Sequence, residues 1–281
     1  MKNLFSLKTF KTAFSMLVLF MVTGSLSAQD YRYFLAQHEG NSTNLYEVSL
    51  DGTDANLSLV HTVGYRAHIA YHESTKSIYF VNETNANYEN FSLESNSIES
   101  SAVIGASGSF VAASFSDGIN LTLGNGSNGK IYTIPADFLT TDLTEVASAP
   151  VSGGDVAYDG SDLYLATRSG NRLMKFNGVG FDLQTNIPQK VTGMARTADG
   201  NFLLSFFGST TLKKYSPAGA LVETYNLKVG DLSYQGLNGD LASGTFSTAC
   251  LPFRVDAYVP GTQADLLSPV SALRQIADNA L

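Results

Sequence analysis

Cysteine is almost absent from this chain, in which Cys250 is the only one among 281 residues. A lone cysteine excludes an internal disulfide, so the fold must rely on the size of its hydrophobic core. Tryptophan is missing, and the four histidines show neither the H-E-x-x-H arrangement nor another zinc-binding spacing. The sequence therefore excludes a disulfide scaffold and gives no support for a zinc enzyme.

Charged residues are also scarce, at 15%, and acidic residues outnumber basic ones to give a formal net charge of −8. The abundance of Gly, Ser, Thr and Asn suits short strands joined by turns better than long surface helices. Removal of residues 1–28 would take away three lysines and no acid, which changes the charge from −8 to −11. Because an acidic protein repels phosphate backbones, we expect no nucleic-acid partner.

One hydrophobic run stands out, Ala13–Val22, and its ten residues are few for a membrane span, which takes about 20. Lys2, Lys8 and Lys11 precede it, and the small residues of "TGSLSA" follow it. This pattern predicts a signal peptide over residues 1–28, cleaved after Ala28. We expect residues 29–281 to form a single, monomeric domain without a membrane span, secreted or periplasmic.

A short apolar segment that ends in a small residue recurs at intervals of 43, 44, 38 and 38 residues. The small residues are Ala70, Ala113, Ala157, Ala195 and Ser233. Each is followed by a turn such as "DGSD" or "TADGN", and then by alternating segments such as "LYLAT" and "RLMKF". Four short strands per period predict an all-β fold, a β-propeller of about six four-stranded blades. Five or seven blades result if the chain ends are assigned differently.

The first blade lacks its innermost strand, because residues 31–63 match only the second, third and fourth strands of the repeat. The segment Ile276–Asp278 lies one period after Ser233. A strand there would complete the first blade and close the ring, which removes exposed sheet edges. The surrounding "SPVSALRQIADNAL" fits a short helix equally well, and both interpretations stand at this point.

Two stretches, "GDVAYDGSDLYLATRSGNRLMKF" and "TGMARTADGNFLLSFFGSTTLKKYSPAG", resemble NHL-type and SMP-30/gluconolactonase-like propellers. The resemblance rests on Gly193, the Asp199–Gly200–Asn201 turn and the strand from Asn171 to Phe176. It implies the architecture only, since this fold hosts binding proteins, lactonases, lyases and scaffolds. A lactonase-type site would need acidic and Asn ligands for a divalent cation at the channel mouth.

The blade-to-blade connections and the loops between second and third strands should surround one mouth of the channel, where propellers bind ligands. The candidate ligand-binding residues there are Arg66, His68, Asp155, Arg168, Asn171 and Asp231. Asp155 and Asp231 stand in the similar segments "GGDVAYD" and "VGDLSYQ" and are the candidate Ca²⁺ ligands. The alternative is that each Asp accepts backbone N–H groups of a turn. Without ligand, we expect Arg66 or Arg168 to pair with one of these carboxylates.

The charges at this mouth are mixed, which suits a polar neutral or zwitterionic ligand better than a polyanion. We therefore expect a secreted propeller that binds a small polar ligand, a glycan or a protein partner. The alternative is a divalent-cation-dependent hydrolase, lactonase or lyase of the SMP-30-like type, with Ca²⁺ as cofactor. Whether the protein is an enzyme is left open by the sequence.

Overall fold

The computed structural model describes residues 30–105, 109–115, 118–150, 153–230, 232–233 and 236–246. All of them belong to one compact unit, Ala28–Thr248. Regular structure in these ranges consists of strands, which confirms the all-β prediction. No helix in the described ranges is long and apolar enough to cross a membrane. The predicted signal peptide and Cys250 lie outside the described residues.

The strands form five four-stranded antiparallel blades, numbered here in the order of their second strands. Blade I contains β1 (Asp30–Glu39), β2 (Ser42–Asp51), β3 (Asp54–Val63) and β21 (Gly239–Phe246). Blade II contains β4 (Ala67–His72), β5 (Ser77–Asn82), β6 (Asn87–Ser92) and β7 (Ser97–Val103). Blade III contains β8 (Phe110–Phe115), β9 (Asn120–Asn125), β10 (Lys130–Pro135) and β11 (Thr144–Ser148). Blade IV contains β12 (Gly154–Asp159), β13 (Asp162–Thr167), β14 (Arg172–Phe176) and β15 (Phe181–Asn186). Blade V contains β16 (Val191–Arg196), β17 (Phe202–Phe206), β18 (Thr211–Tyr215) and β19 (Leu221–Val229), and the short β20 (Leu232–Ser233) pairs with β19.

The innermost strands β4, β8, β12, β16 and β21 contact one another in this order, and β21 contacts β4. This contact closes the ring, so the described residues form a propeller of five blades, not six. The outermost strands β3 and β19 also pair in parallel, which joins blades I and V at the periphery. Blades I and V thus meet both near the axis, where β21 contacts β16, and at the outer edge.

The sixth blade was predicted from Ser233, which does not begin an innermost strand. Gly230 reverses the chain at positive φ directly after β19, and β20 runs back along that outermost strand. Leu232 and Ser233 therefore lie at the outer edge of blade V, away from the axis. Ala242 on β21 takes the predicted place, paired with Phe34 of β1. The alternative closing segment, Ile276–Asp278, lies outside the described residues.

Five apolar clusters fill the spaces between neighbouring blades. Phe34 and Phe80 pack between blades I and II, for example, and Tyr164 and Phe202 between blades IV and V. An innermost strand has neighbours on both faces, and every residue of β4 is buried. The repeated apolar segments of the sequence are these innermost strands, because a strand that is buried on both faces needs apolar or small residues throughout.

Candidate functional site

One position of each innermost strand, two residues before the repeated alanine, forms a layer near the axis. The residues of this layer are His68, Val111, Asp155, Gly193 and Asp240. Asp155 and Asp240 are both completely buried. The layer is therefore the place where the propeller brings ionisable groups of different blades together.

Each of the two aspartates ties its own strand to the next blade. Asp155 Oδ1 accepts the Val156 N–H at 2.8 Å, and its Oδ2 accepts the N–H of Met194, on β16, at 2.5 Å. Asp240 Oδ1 accepts the Leu241 N–H at 2.9 Å, and its Oδ2 accepts the N–H of Ile69, on β4, at 2.8 Å. Innermost strands have no strand partner on the axial side, and these carboxylates satisfy N–H groups that burial would otherwise leave unpaired.

The two carboxyl groups also meet each other, although the innermost strand β16 lies between their strands. Gly193 on β16 allows β21 to approach this closely, because a Cβ there would lie 2.5 Å from the Leu241 nitrogen. Burial, and then the charge of Asp240, raise the pKa of Asp155 well above its ordinary value of 3.8. The pair therefore retains a proton at pH values where an exposed aspartate is ionised.

A glycine precedes each of these aspartates for a steric reason. A Cβ on Gly154 would lie 1.9 Å from the Ala166 oxygen, and one on Gly239 would lie 1.7 Å from the Ala36 oxygen. Gly-Asp followed by an apolar residue is thus the sequence signature of the axial pair. Asp240 is not among the site residues predicted from the sequence, and this signature, present at both 230 and 239, is the signal that could have found it.

A cavity of about 390 Å³ lies at the mouth where the innermost strands begin, and we call it the axial cavity. Its charged and ionisable lining residues among those described are His38, Arg66, His68, Glu83, Arg168 and Lys190. Three predicted site residues, Arg66, His68 and Arg168, are therefore brought together, and all five blades contribute to the lining. Its volume falls within the range of about 300–1,000 Å³ typical of small-molecule sites.

His38 and Arg66 are held in place by protein partners. His38 Nε2 lies 2.9 Å from the Ala67 carbonyl oxygen, so this nitrogen carries the proton, and Nδ1 accepts from Arg66 Nη2 at 3.2 Å. Arg66 Nε lies 3.0 Å from Glu83 Oε2. Burial, then the neighbouring His68, lower the pKa of His38 to about 4. At neutral pH His38 is therefore an uncharged, fixed acceptor for the guanidinium.

His68 connects the cavity to the carboxyl pair below it. Its Nδ1 lies 3.3 Å from Asp240 Oδ2, and its ring meets that of His38 edge-on at 5.4 Å. No described residue forms a hydrogen bond with Nε2 of His68, and this residue lines the cavity. The imidazole thus has a carboxylate close behind it, without a hydrogen bond at Nδ1, and offers its second nitrogen to a ligand.

We expect the His38→Gln variant to lose less stability than the wild type as the pH falls from about 6.5 to about 4. The folded pKa of His38 is depressed, so its contribution is present above the ordinary pKa of 6.5 and is lost as the unfolded state takes up a proton. The wild type should lose up to about 3 kcal/mol from this residue over that range. Urea denaturation between pH 7.5 and 4 measures the difference, with the less buried His61→Gln as control. Parallel pH profiles for wild type and His38→Gln would contradict this expectation.

Two other predicted site residues, Asn171 and Asp155, do not line the axial cavity. Asn171 lies in the loop between β13 and β14, where its backbone oxygen accepts the Ile187 N–H at 2.7 Å. Asp155 lies buried on β12, and Asp231 lies outside the described residues. The expected pairing of Arg66 with Asp155 is wrong, because Arg66 pairs with Glu83 and the Asp155 oxygens accept backbone N–H groups.

The described residues do not provide the calcium site predicted from Asp155 and Asp231. Within the described ranges no group of three or more His, Cys, Asp or Glu side chains is arranged to hold a metal ion. A Ca²⁺ ion takes about six to eight oxygen ligands, whereas both oxygens of the buried Asp155 already accept N–H groups. The alternative interpretation, that Asp155 satisfies backbone N–H groups, matches these contacts, although the donors lie on neighbouring innermost strands and not in a turn.

A second cavity, of about 570 Å³, lies at the opposite mouth and differs in its chemistry. It is lined by the repeated alanines Ala70, Ala113, Ala157, Ala195 and Ala242. Its charged lining residues are engaged, because Arg196 pairs with Asp159 at 2.5 Å and Glu73 accepts the Thr245 N–H at 2.9 Å. Unengaged charged groups are therefore a feature of the axial cavity and not of this one.

Comparison with known proteins places the chain in the β-propeller fold. No protein-family model matches the sequence, and no curated protein matches it. A chain of the nidogen/laminin complex superposes with a TM-score of 0.55 at 9% identity, over 77% of this chain and 99% of its own length. A protein of unknown function from Bacteroides thetaiotaomicron gives 0.51 at 16% identity, over 78% of this chain and 66% of its own. These likenesses confirm the β-propeller architecture.

Proposed function

We propose that the protein binds a small polar ligand in the axial cavity. The observation that carries this proposal is the convergence of Arg66 and His68 of blade II with Arg168 of blade IV around one concave space of suitable volume. His38 and Glu83 hold Arg66 before any ligand arrives, and Asp240 Oδ2 lies 3.3 Å from His68 Nδ1. Such preordering favours binding, because little side-chain freedom is lost when a ligand is taken up.

The segment 1–28 supports export as part of the same proposal, so that the ligand is met outside the cytoplasm. A glycan or a protein segment remains a candidate ligand where its contacting group is small and polar. The axial cavity is favoured over the larger opposite one because its lining includes ionisable groups that are free to contact a ligand.

A second candidate function is a hydrolase or lyase activity at the same place. The observation that favours it is the contact of His68 Nδ1 with Asp240 Oδ2 at 3.3 Å. An imidazole with a carboxylate on one side and a free nitrogen on the other is an arrangement in which histidine can act as a general base. His68 would be the base of such an enzyme, and Arg66 would contact the substrate.

Screening small polar compounds by thermal shift tests the proposal, with Ser169→Trp as the variant that blocks the cavity. Ser169 is exposed and lines the mouth, whereas Ser161, in the turn between β12 and β13, is exposed and does not. We expect compounds that stabilise the wild type to lose their effect on Ser169→Trp and to keep it on Ser161→Trp. Compounds that stabilise all three proteins equally would show that the ligand binds elsewhere. Lactones and esters in the screen, followed for product formation, would reveal the enzymatic alternative.

A further inference from the structure

Two cations at the edge of the axial cavity have no acidic partner among the described residues. Arg168 and Lys190 are both exposed and both line the cavity, and neither forms an ion pair. The chain has an excess of acidic residues, with a net charge of −8, so a partner for each cation would be readily available. The lack of an acidic partner for Arg168 and Lys190 is therefore a feature of the edge of the axial cavity.

Elsewhere on the described surface, basic side chains are paired. Lys130 contacts Glu145, Lys175 contacts Asp162, and Lys214 contacts Glu223. Inside the cavity Arg66 is also paired, with Glu83. Besides Arg168 and Lys190, the exceptions among the described Lys and Arg residues are Lys213, which donates to Gln189, and Arg172, which lies away from the cavity.

Phe207 lies next to both cations. Its backbone N–H donates to the Lys190 carbonyl oxygen at 2.9 Å, and the Arg168 guanidinium carbon lies 5.1 Å from the centre of its ring. The Phe207 side chain is 50% exposed. An exposed aromatic ring thus lies beside the Arg168 guanidinium, where it can contact the apolar part of a ligand while the guanidinium holds its charge.

We propose that the ligand of the axial cavity is a small organic anion, a carboxylate or phosphate ester with an apolar part, whose charged group binds Arg168 and Lys190. This inference rests on the proposed function, because it names the class of ligand for the same cavity. It also differs from the sequence-based expectation of a neutral or zwitterionic ligand. The reason is that Glu83, the acid that would balance the cations, is taken by Arg66.

Benzoate, phenyl phosphate and the uncharged benzamide are the probes, compared by thermal shift and by NMR titration. We expect benzoate or phenyl phosphate to bind, benzamide to bind at least tenfold more weakly, and added salt to weaken the anions only. Whichever of the two anions binds more tightly shows whether the charged group of the ligand is a carboxylate or a phosphate. Arg168→Gln and Lys190→Gln should each weaken anion binding by about tenfold, because a charge-assisted hydrogen bond is lost.

Arg172→Gln is the matched control, since Arg172 is an unpaired, exposed cation of the same blade that does not line the cavity. Anion affinity should stay unchanged in this variant. An equal loss in Arg172→Gln would overturn the inference, because binding would then follow overall charge. Equal binding of benzamide and benzoate, abolished in both cases by Ser169→Trp, would overturn the inference and leave the proposed function standing. Failure of all three probes to bind would overturn both.

Discussion

Replacing Leu241 by aspartate is expected to lower the melting temperature by about 10–20 °C, at an unfolding cost of about 5 kcal/mol. Leu241 is 1% exposed and lies on β21, opposite Leu35 of β1. It packs in the cluster between blades V and I with Ala195 and Leu203. A carboxylate there would be buried without a partner at the point where the ring closes, and domains of this kind have only about 5–15 kcal/mol of stability in total.

Leu183→Asp is the matched control for this experiment. Leu183 lies on β15, the outermost strand of blade IV, and is 50% exposed, so its replacement should change the stability by less than about 0.5 kcal/mol. Thermal denaturation followed by circular dichroism compares the two variants. If a strand beyond residue 246 closed the ring instead of β21, Leu241→Asp would resemble the control.

Replacing Asp240 by alanine is expected to cost about 3–5 kcal/mol of unfolding free energy. The change removes the acceptor of the Ile69 and Leu241 N–H groups and the partner of His68. Asp240→Asn should cost less, because the amide retains one acceptor oxygen. Asp51→Ala, an exposed position on β2, should be close to neutral. A cost below about 1 kcal/mol for Asp240→Ala would mean that water replaces the carboxylate and that the layer is not dry.

The contribution of Asp155, the buried neighbour of Asp240, to the free energy of unfolding depends on pH. The folded pKa of Asp155 is raised, so its contribution to stability is fully present below 3.8 and is lost as the pH rises toward the folded value. The stability difference between wild type and Asp155→Asn should therefore be largest near pH 4. It should shrink as the pH rises, by up to about 1.4 kcal/mol per pH unit. His38 is present in both proteins, so its opposite dependence cancels in this difference.

The local signals of the sequence determined the blades. The turns after Ala157 and Ala195 and the alternating segments beyond them predict hairpins that the structure contains, from β12 to β15 and from β16 to β19. Hairpins depend on residues close together in the chain, on turn geometry and on an alternation of period two, and all three can be read directly. For the same reason the sequence could place Arg66, His68 and Arg168 at the same mouth, where they line one cavity.

The tertiary structure alone decided how the ring closes and what lies at its axis. Two Gly-Asp-Leu segments, which begin at 230 and 239, both have the sequence of an innermost strand. Local residue preferences do not decide which of the two takes that position. The choice depends on the pairing of β21 with β1, near the other end of the described chain, and on the close approach of the β21 backbone that Gly193 allows. The Asp240 contact with Ile69 spans 171 residues. Such contacts form only when all five blades are packed, because the ring, and not any single blade, creates the axial space.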